Sequence, residues 1–257
     1  MHRFLALVVV AYSSLLSAQS PPASSPQALT LAAGSIAAMT GGNAISDVTL
    51  TGSVAWNRAA DSGSAMLRAL GTGESRVDLA LSEGTRTEIR DTQTGTPLGK
   101  WINPSNAVGN FTYQNCQTDA VWFFPALGSL AAGPNVVLSY IGQVTRNGKA
   151  VQHIQSFIYQ ANSTTGLSPT PQQLSTTDWY LDAATLLPVA VTFSAHPDNG
   201  APQNLAVEVD FSNYQVFSGV AVPTHIQRYQ SGNLMVDITV SAASFNTGIP
   251  LSVFTVN

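Results

Sequence analysis

Apolar and polar residues alternate one by one in short stretches along most of this chain. The pattern is clear in VTLTGSVAW (48–56), RVDLAL (76–81), RTEIR (86–90) and LAVEVDF (205–211). Successive side chains of a β-strand point to opposite faces of a sheet, so a period of two predicts strands with one apolar and one polar face. About ten or eleven such strands, nearly all joined by short turns, predict a mainly β protein: an antiparallel meander that curls into an incomplete, half-open β-barrel.

The sharpest local signal is VTRNGKAV, in which Asn147-Gly148 predicts a two-residue hairpin turn because both positions tolerate positive φ. Counting outward from this turn gives three apolar pairs: Val144 with Val151, Ile141 with Ile154, and Leu138 with Phe157. Both faces of the hairpin therefore carry apolar residues. We expect both faces to be covered.

A second turn is predicted in DWYLDAATLLPVAV (178–191). Asp182 opens it, because an aspartate side chain accepts hydrogen bonds from the backbone two residues further on. The next strand is expected to begin at Leu186 or Leu187, and Pro188 is tolerated near its start, where no ladder N–H is required.

Two helices are predicted. The first begins at Ala28, carries Leu29, Ala32, Ala33 and Ile36 on one face, and ends at Gly41-Gly42. The second, inserted at about residues 118–131, contains Trp122, Phe123 and Phe124 in a row. Three consecutive aromatic residues point around most of a helix, so this helix is either buried on two sides or is a lid over an apolar cavity.

The first twenty residues, MHRFLALVVVAYSSLLSAQS, place a basic start before an apolar run and end in small residues. This layout predicts a secretory signal peptide over residues 1–18 and a protein in the periplasm or outside the cell. An uncleaved anchor is the alternative, although the apolar run is shorter than the ~20 residues of a spanning helix. Residues 19–27 are interpreted as a Pro/Ser-rich spacer and residues 28–257 as a single β-rich domain.

Composition narrows the possible partners. Only 9% of the 257 residues are charged, the net charge is −4, and no basic run occurs, so nucleic acid is not an expected partner. The single cysteine, Cys116, cannot form an internal disulfide, and the fold must be stabilised by its apolar core. We expect a monomer.

No catalytic, metal or cofactor motif is recognisable. The sequence contains no G-x-S-x-G, and His153, His196 and His225 lie far apart with no metal-ligand spacing. Cys116 stands just before the predicted second helix, where a thiol can be activated, but it has no evident histidine partner and is interpreted as a packing residue.

One pair of carboxylates leaves an enzymatic alternative open. Glu208 and Asp210 lie two residues apart in VEVDF and therefore share a strand face. Two carboxylates on one face are typical of glycosidases, although alternating acids on a solvated face are commoner. A polysaccharide-active enzyme using these two residues is the corresponding hypothesis.

The stretch WYLDAATLLPVAV and the later stretch FSNYQVFSGVAVPTHI resemble the periplasmic outer-membrane lipoprotein carriers. The resemblance covers residues 178–245 and rests on a D-x-x-T turn followed by Leu-Pro and on a later G-x-x-x-P strand entry, at Asp182, Thr185, Leu187, Pro188, Gly219 and Pro223. It implies an incomplete barrel around a helix, with an apolar interior that shelters an acyl chain, in a non-enzymatic carrier.

The resulting hypothesis is an exported protein that binds a lipid or another acyl-chain ligand inside an open half-barrel. The candidate lining residues are large and apolar: Trp56, Leu79, Trp122, Phe123, Leu138, Tyr140, Phe157, Trp179 and Phe193. The non-enzymatic alternative is an envelope interaction or scaffold protein with a filled core, whose partner would be an envelope protein.

Overall fold

The fold is described from a computed structural model. It describes residues 22–91, 98–111, 113–118, 120–131, 133, 135–160, 171–197 and 203–256. The predicted signal peptide and the first residues of the predicted spacer lie outside these ranges. No helix within them is long and apolar enough to cross a membrane.

Thirteen antiparallel strands form one sheet in the order β6-β5-β4-β3-β2-β1-β13-β12-β11-β10-β9-β8-β7. The strands are β1 (Asp47–Trp56), β2 (Asp61–Leu70), β3 (Ser75–Leu81), β4 (Gly84–Asp91), β5 (Leu98–Ile102), β6 (Val108–Asn110), β7 (Val136–Arg146), β8 (Lys149–Ile158), β9 (Thr177–Asp182), β10 (Pro188–Ala195), β11 (Leu205–Phe217), β12 (Val220–Gln230) and β13 (Asn233–Phe245). Within the described residues the two edge strands, β6 and β7, do not pair with each other, so the sheet does not close. The predicted antiparallel half-barrel is confirmed, with more strands than expected.

The connectivity explains why the half-barrel has a covered interior. Neighbouring strands are consecutive in the chain, except that β1 pairs with β13 and the chain passes from edge strand β6 to edge strand β7. This crossing carries the buried residues from Ala120 to Ala126 and also Leu130. They join the core on the face of the sheet that bears Leu50, Val77 and Ile238. That face is called the inner face here, and the opposite one the outer face.

The first helix, α1 (Pro26–Thr40), packs against β7, β8 and β12. It begins two residues before the predicted start and ends, as predicted, at Gly41, which has a left-handed conformation with φ 62°. Its buried residues include Ala28, Ala32 and Met39, whereas Leu29 is 38% exposed. Of the four residues placed on one face, Ala32 is therefore buried and Leu29 is not, because small apolar residues surround this helix and give its pattern no clear direction.

The inserted helix is present but shorter and earlier than predicted. Helix α2 covers Tyr113–Thr118, and residues 120–124 form turns followed by a single 3-10 turn at Pro125–Leu127. A regular helix would expose part of the row Trp122-Phe123-Phe124, whereas this irregular path leaves all three at most 5% exposed. Pro125 also disfavours helix through this point, since it has no N–H to donate. A third short helix, α3, covers Pro171–Ser175.

The predicted hairpin forms around Asn147 (φ 49°) and Gly148 (φ 75°), and Val144 pairs with Val151. Beyond a register shift between Tyr140 and Gly142 the predicted pairs are wrong. The observed pairs are Tyr140 with Ile154, Leu138 with Ser156, and Val137 with Phe157. The inserted residue, Ile141, is 52% exposed and Val144 is 40% exposed, so one face of the hairpin end is uncovered.

The predicted turn at Asp182 is present. Asp182 Oδ1 accepts hydrogen bonds from the backbone N–H groups of Ala184 and Thr185, both at 2.9 Å, and from Thr185 Oγ1 at 3.2 Å. These hydrogen bonds, led by that of the Thr185 N–H, lower the pKa of the Asp182 carboxyl. Leu186 takes a positive φ of 59°, so β10 begins only at Pro188, slightly later than expected.

We predict that Asp182→Ala lowers the free energy of unfolding by about 1 kcal/mol, because it removes the acceptor that holds the turn closed. Asp182→Asn keeps one side-chain oxygen at this position and should lose clearly less. Urea denaturation monitored by tryptophan fluorescence measures both. Equal stability of the alanine variant and the unaltered protein would contradict the structural role of this carboxylate.

Candidate functional site

A cavity of about 500 Å³ lies on the inner face, between the crossing segment 116–133 and strands β8, β9 and β10. It is called the apolar cavity here. The large side chains in its wall are apolar: Val121, Trp122, Leu127, Val136, Phe157, Ile158, Trp179, Val191 and Phe193. Its dimensions and chemistry are those of a small-molecule site, since such sites are concave and mostly apolar.

A short polar chain positions the wall of the apolar cavity. Trp179 Nε1 donates to Ser129 Oγ at 3.3 Å, and Ser129 Oγ lies 3.4 Å from Ser156 Oγ. These contacts tie β9 and β8 to the crossing segment. A Cβ atom at Gly128 would stand 3.3 Å from Cη2 of Trp179, so the segment approaches the indole closely because this residue has no side chain.

The nine candidate residues do not share one place. Trp122, Phe157, Trp179 and Phe193 line the apolar cavity. Leu79, Phe123 and Leu138 are 3%, 0% and 0% exposed and pack within the core. The Tyr140 hydroxyl donates to Gln152 Oε1 at 2.8 Å on the edge hairpin, and Trp56 lies in a second opening on the inner face.

The second opening, of about 670 Å³, is called the polar cleft here. Strand β4 contributes Arg86 and Glu88 to it, because these two residues, like the buried Arg90, pair in register with inner-face residues of β3. The guanidinium carbon of Arg86 lies 4.8 Å from the ring centroid of Trp56 and 5.9 Å from that of Trp101. Cation–π attraction to these two rings helps to hold this side chain in place.

In the alternating pattern RTEIR the charged residues of β4 point inward. Thr87 and Ile89, each 7% exposed, lie on the outer face. There the C-terminal 3-10 turn Leu251–Phe254 packs against β3 and β4, and Arg76 Nη1 donates to the carbonyl of Val253 at 3.3 Å. A strand covered on both faces gives no reliable direction to its alternation.

Glu88 is held ionised between arginines. Its carboxylate accepts from Arg86 Nη2 at 2.9 Å and lies 3.5 Å from Nη2 of the fully buried Arg90. Burial by itself raises the pKa of Glu88, but the charges of Arg90, Arg86 and Arg228 outweigh burial and lower the pKa to about 2. Three guanidinium groups therefore surround this carboxylate, and two of them, those of Arg86 and Arg228, line the cleft.

Asn115 and Cys116, neighbours in α2, contribute to different openings. The Asn115 side chain binds the backbone of His196 twice: Oδ1 accepts from the His196 N–H at 2.8 Å and Nδ2 donates to its carbonyl at 2.7 Å. Asn115 and His196 line the polar cleft, whereas Cys116, 1% exposed, lines the apolar cavity. Cys116 lies within α2 and not before its start, so the predicted position at a helix N-terminus is wrong.

Glu208 and Asp210 lie on the outer face, away from both openings. The guanidinium group of Arg146 binds the carboxylate of Glu208 and lies 3.3 Å from Asp210 Oδ1. Burial and the charge of Asp210 raise the pKa of Glu208 although Arg146 opposes them. Glu208, 39% exposed, borders a surface groove of about 950 Å³ with Asp178 and Tyr229. A glycosidase pair flanks its substrate, but here one arginine binds both carboxylates.

Metal binding has no evident centre in the part of the chain that the structure describes. No three of its His, Cys, Asp and Glu residues are grouped so that they could hold a metal ion. The histidines instead contact protein groups: His153 Nε2 lies 2.7 Å from Asp178 Oδ1, and His225 Nε2 lies 2.9 Å from Asp237 Oδ1.

No protein-family model matches this chain, and no curated protein matches its sequence. Solved structures do. A putative outer membrane lipoprotein-sorting protein domain from Vibrio parahaemolyticus matches with a TM-score of 0.54 at 14% identity, over 88% of this chain and 95% of its own. The chain shares its fold. A LolA superfamily protein from Nitrosomonas europaea has this fold too, with a TM-score of 0.51 at 11% identity, over 89% of this chain and 97% of its own. A DUF1329 family protein from Desulfovibrio piger matches with a TM-score of 0.54 at 9% identity, over 89% of this chain and 96% of its own. The resemblance stated from residues 178–245 is thus confirmed at the level of fold.

The buried ion pairs predict a pH-dependent stability. Because the folded pKa of Glu88 is about 2 against an ordinary 4.5, its contribution is fully present above pH 4.5 and is lost as the pH falls toward 2. Glu88→Gln should lower the free energy of unfolding by about 3 kcal/mol at pH 7, since it leaves buried arginines without their carboxylate. The difference from the unaltered protein should shrink steadily below pH 4.5.

Chemical denaturation at several pH values measures this difference. The matched control is Glu83→Gln, at the exposed rim of the same cleft, where we expect a change within about 0.5 kcal/mol. A deficit of Glu88→Gln that is as large at pH 2 as at pH 7 would show that the charge of Glu88 is not what stabilises the fold.

Proposed function

We propose that this protein is an exported, non-enzymatic binding protein that holds one hydrophobic ligand in the apolar cavity. The apolar cavity is the observation that carries the proposal: about 500 Å³ of space bounded by Trp122, Phe157, Trp179 and Phe193. Export rests on the signal-peptide pattern of residues 1–18. The fold shared with a putative lipoprotein-sorting domain supports a carrier role.

The size of the cavity favours a ligand with a single acyl chain over a large lipid with several acyl chains. Phe123, Phe124 and Leu130 are fully buried in the core, so they fill part of the inner face. The cavity that remains is bounded by β8, β9 and β10. A volume of this order is within the range of about 300–1,000 Å³ that accommodates small molecules. A fatty acyl chain is the ligand class that matches such a wall.

Burial of the acyl chain of the ligand would drive binding. Each methylene group removed from water contributes about 0.8 kcal/mol, which corresponds to roughly a fourfold gain in affinity. Affinity should therefore rise with chain length until the cavity is full and then stop rising. The acyl-chain length at which the affinity stops rising would measure the length of the cavity.

A second candidate function is an envelope interaction protein whose core is filled. The packing of Phe123 and Phe124, each 0% exposed, favours it, because most of the inner face is closed by the chain itself. Native mass spectrometry of protein purified without detergent separates the two. Co-purified mass that extracts into organic solvent supports the carrier, and a bare chain that retains an envelope protein partner supports the interaction protein.

The sharpest test fills the cavity with a side chain. Val191 lines the apolar cavity, whereas its neighbour Thr192 borders the surface groove on the other face of β10. Val191→Phe should weaken binding of a fluorescent fatty acid at least tenfold, because the added ring occupies the space of the ligand. Thr192→Phe, the same substitution one residue further on, should leave binding unchanged.

Fluorescence titration measures both variants, and thermal unfolding verifies that each is folded. Equal binding by Val191→Phe and Thr192→Phe would place the ligand elsewhere. Failure of the unaltered protein to bind any chain length would remove the carrier function and leave the interaction protein.

A further inference from the structure

The apolar cavity and the polar cleft are neighbours, and the side chain of Trp122 stands between them. Trp122 lines the apolar cavity, and the guanidinium carbon of Arg228, which lines the polar cleft, lies 5.4 Å from its ring centroid. Helix α2 separates the two in the same way, with Asn115 on the cleft side and Cys116 on the cavity side. An apolar compartment therefore adjoins a charged one across one indole ring.

Two buried side chains at this boundary have hydrogen-bonding atoms without a partner in the described structure. Trp122 is 5% exposed and its Nε1 is unpartnered. His196 is 2% exposed, and its Nε2 is also unpartnered. Buried polar atoms are nearly always hydrogen-bonded, so each such atom requires an explanation, and a bound ligand is one.

His196 is held in a defined orientation. Its backbone is clamped by Asn115, and its Nδ1 lies 3.1 Å from the carbonyl oxygen of Gln203, which can only accept. Nδ1 therefore carries a proton and donates, which leaves Nε2 as the unpartnered nitrogen, an acceptor while the ring is neutral. In the imidazolium form Nε2 also donates. A side chain fixed in this way at the wall of an opening is preorganised for recognition.

The remaining polar groups of the cleft favour an anion. Arg86 gives Nε and Nη2 to Glu88, and its Nη1 has no hydrogen bond to the described residues. The carboxylates of the cleft do not compete for these donors. Glu88 already binds arginines, and Asp61 accepts from the N–H groups of Ser62 and Ser82. Glu83 is exposed to solvent at the rim. Open donors are thus left over, and carboxylate or phosphate oxygens are the groups that arginine binds best.

We propose that the polar cleft is the headgroup site of the ligand: the protein binds a single-chain amphiphile whose anionic head, a carboxylate or a phosphate, accepts hydrogen bonds from Arg86 and from the imidazolium form of His196 while its chain passes the Trp122 indole into the apolar cavity. This inference rests on the proposed function of the cavity. It assigns affinity to the cavity and the choice of head to the cleft.

The test compares three ligands with one chain and different heads: lauric acid, lauryl phosphate and lauryl alcohol. We expect isothermal titration calorimetry to show that the two anions bind at least tenfold more tightly than the alcohol. All three ligands bury the same alkyl chain, and the anions also form hydrogen bonds to a charged group. The anion that binds more tightly identifies the headgroup as a carboxylate or a phosphate. Equal affinity for all three would overturn the headgroup site while leaving the apolar site intact.

Two variants test whether the preference for anionic heads arises in the polar cleft. His196→Asn keeps a donor near the position of Nδ1 for Gln203 and removes only the Nε2 side of the ring. Arg86→Lys keeps the charge but loses the guanidinium group. Each should reduce the preference for the anions at least threefold and leave the affinity for lauryl alcohol unchanged. The matched control is His225→Asn on the outer face, which should keep the full preference.

The outcomes separate the two proposals. Binding of the alcohol together with retained anion preference in both variants would refute the cleft as headgroup site. Absence of binding for all three ligands would refute the apolar site and the inference that rests on it. If Arg86→Lys unfolds, His196→Asn decides alone, since it lies outside the ion pairs of Glu88.

Discussion

The structure depends on one constraint: an open sheet with an apolar inner face must cover that face with its own chain. Closing the barrel would remove the problem, but within the described residues β6 and β7 do not pair with each other, and the chain must travel from one to the other. The crossing carries Phe123, Phe124 and Leu130 onto the inner face and buries them completely. Cover supplied by an irregular segment packs less evenly than a second sheet, and the apolar cavity is the space that it leaves.

The same inner face holds buried charges in a chain that is only 9% charged. Desolvating Arg90 and Glu88 is expensive, and their attraction offsets this only with close geometry, which the contacts of Arg86 and Arg90 with Glu88 provide. A well-packed apolar cluster would stabilise the fold as well or better. Retaining guanidinium groups beside a cavity therefore favours a role in recognition over a role in stability.

Sequence reasoning could predict the elements of this fold better than their packing. The period-two pattern and the local chemistry of Asn147-Gly148 and Asp182 are properties of neighbouring residues, and these elements formed as predicted. The inserted residue at Ile141 and the irregular path of 120–131 are set by tertiary packing, which a local pattern does not contain. The polar cleft was missed for a related reason: its charged β4 pattern is that of a solvated face, because the C-terminal cover of the opposite face is distant in sequence. Three charges at alternating positions in so uncharged a chain were the available signal.

Trp122 connects these observations. Its indole has apolar surface for the cavity, a face for the guanidinium group of Arg228, and one N–H that is buried without a partner. A residue needed only for packing would be served as well by phenylalanine, which leaves no buried donor unsatisfied. Tryptophan is the side chain that fits a boundary between an apolar compartment and a polar one, because it is apolar over most of its surface and polar at one atom. The position of Trp122 is thus the point at which the chain of an amphiphile would end and its head would begin.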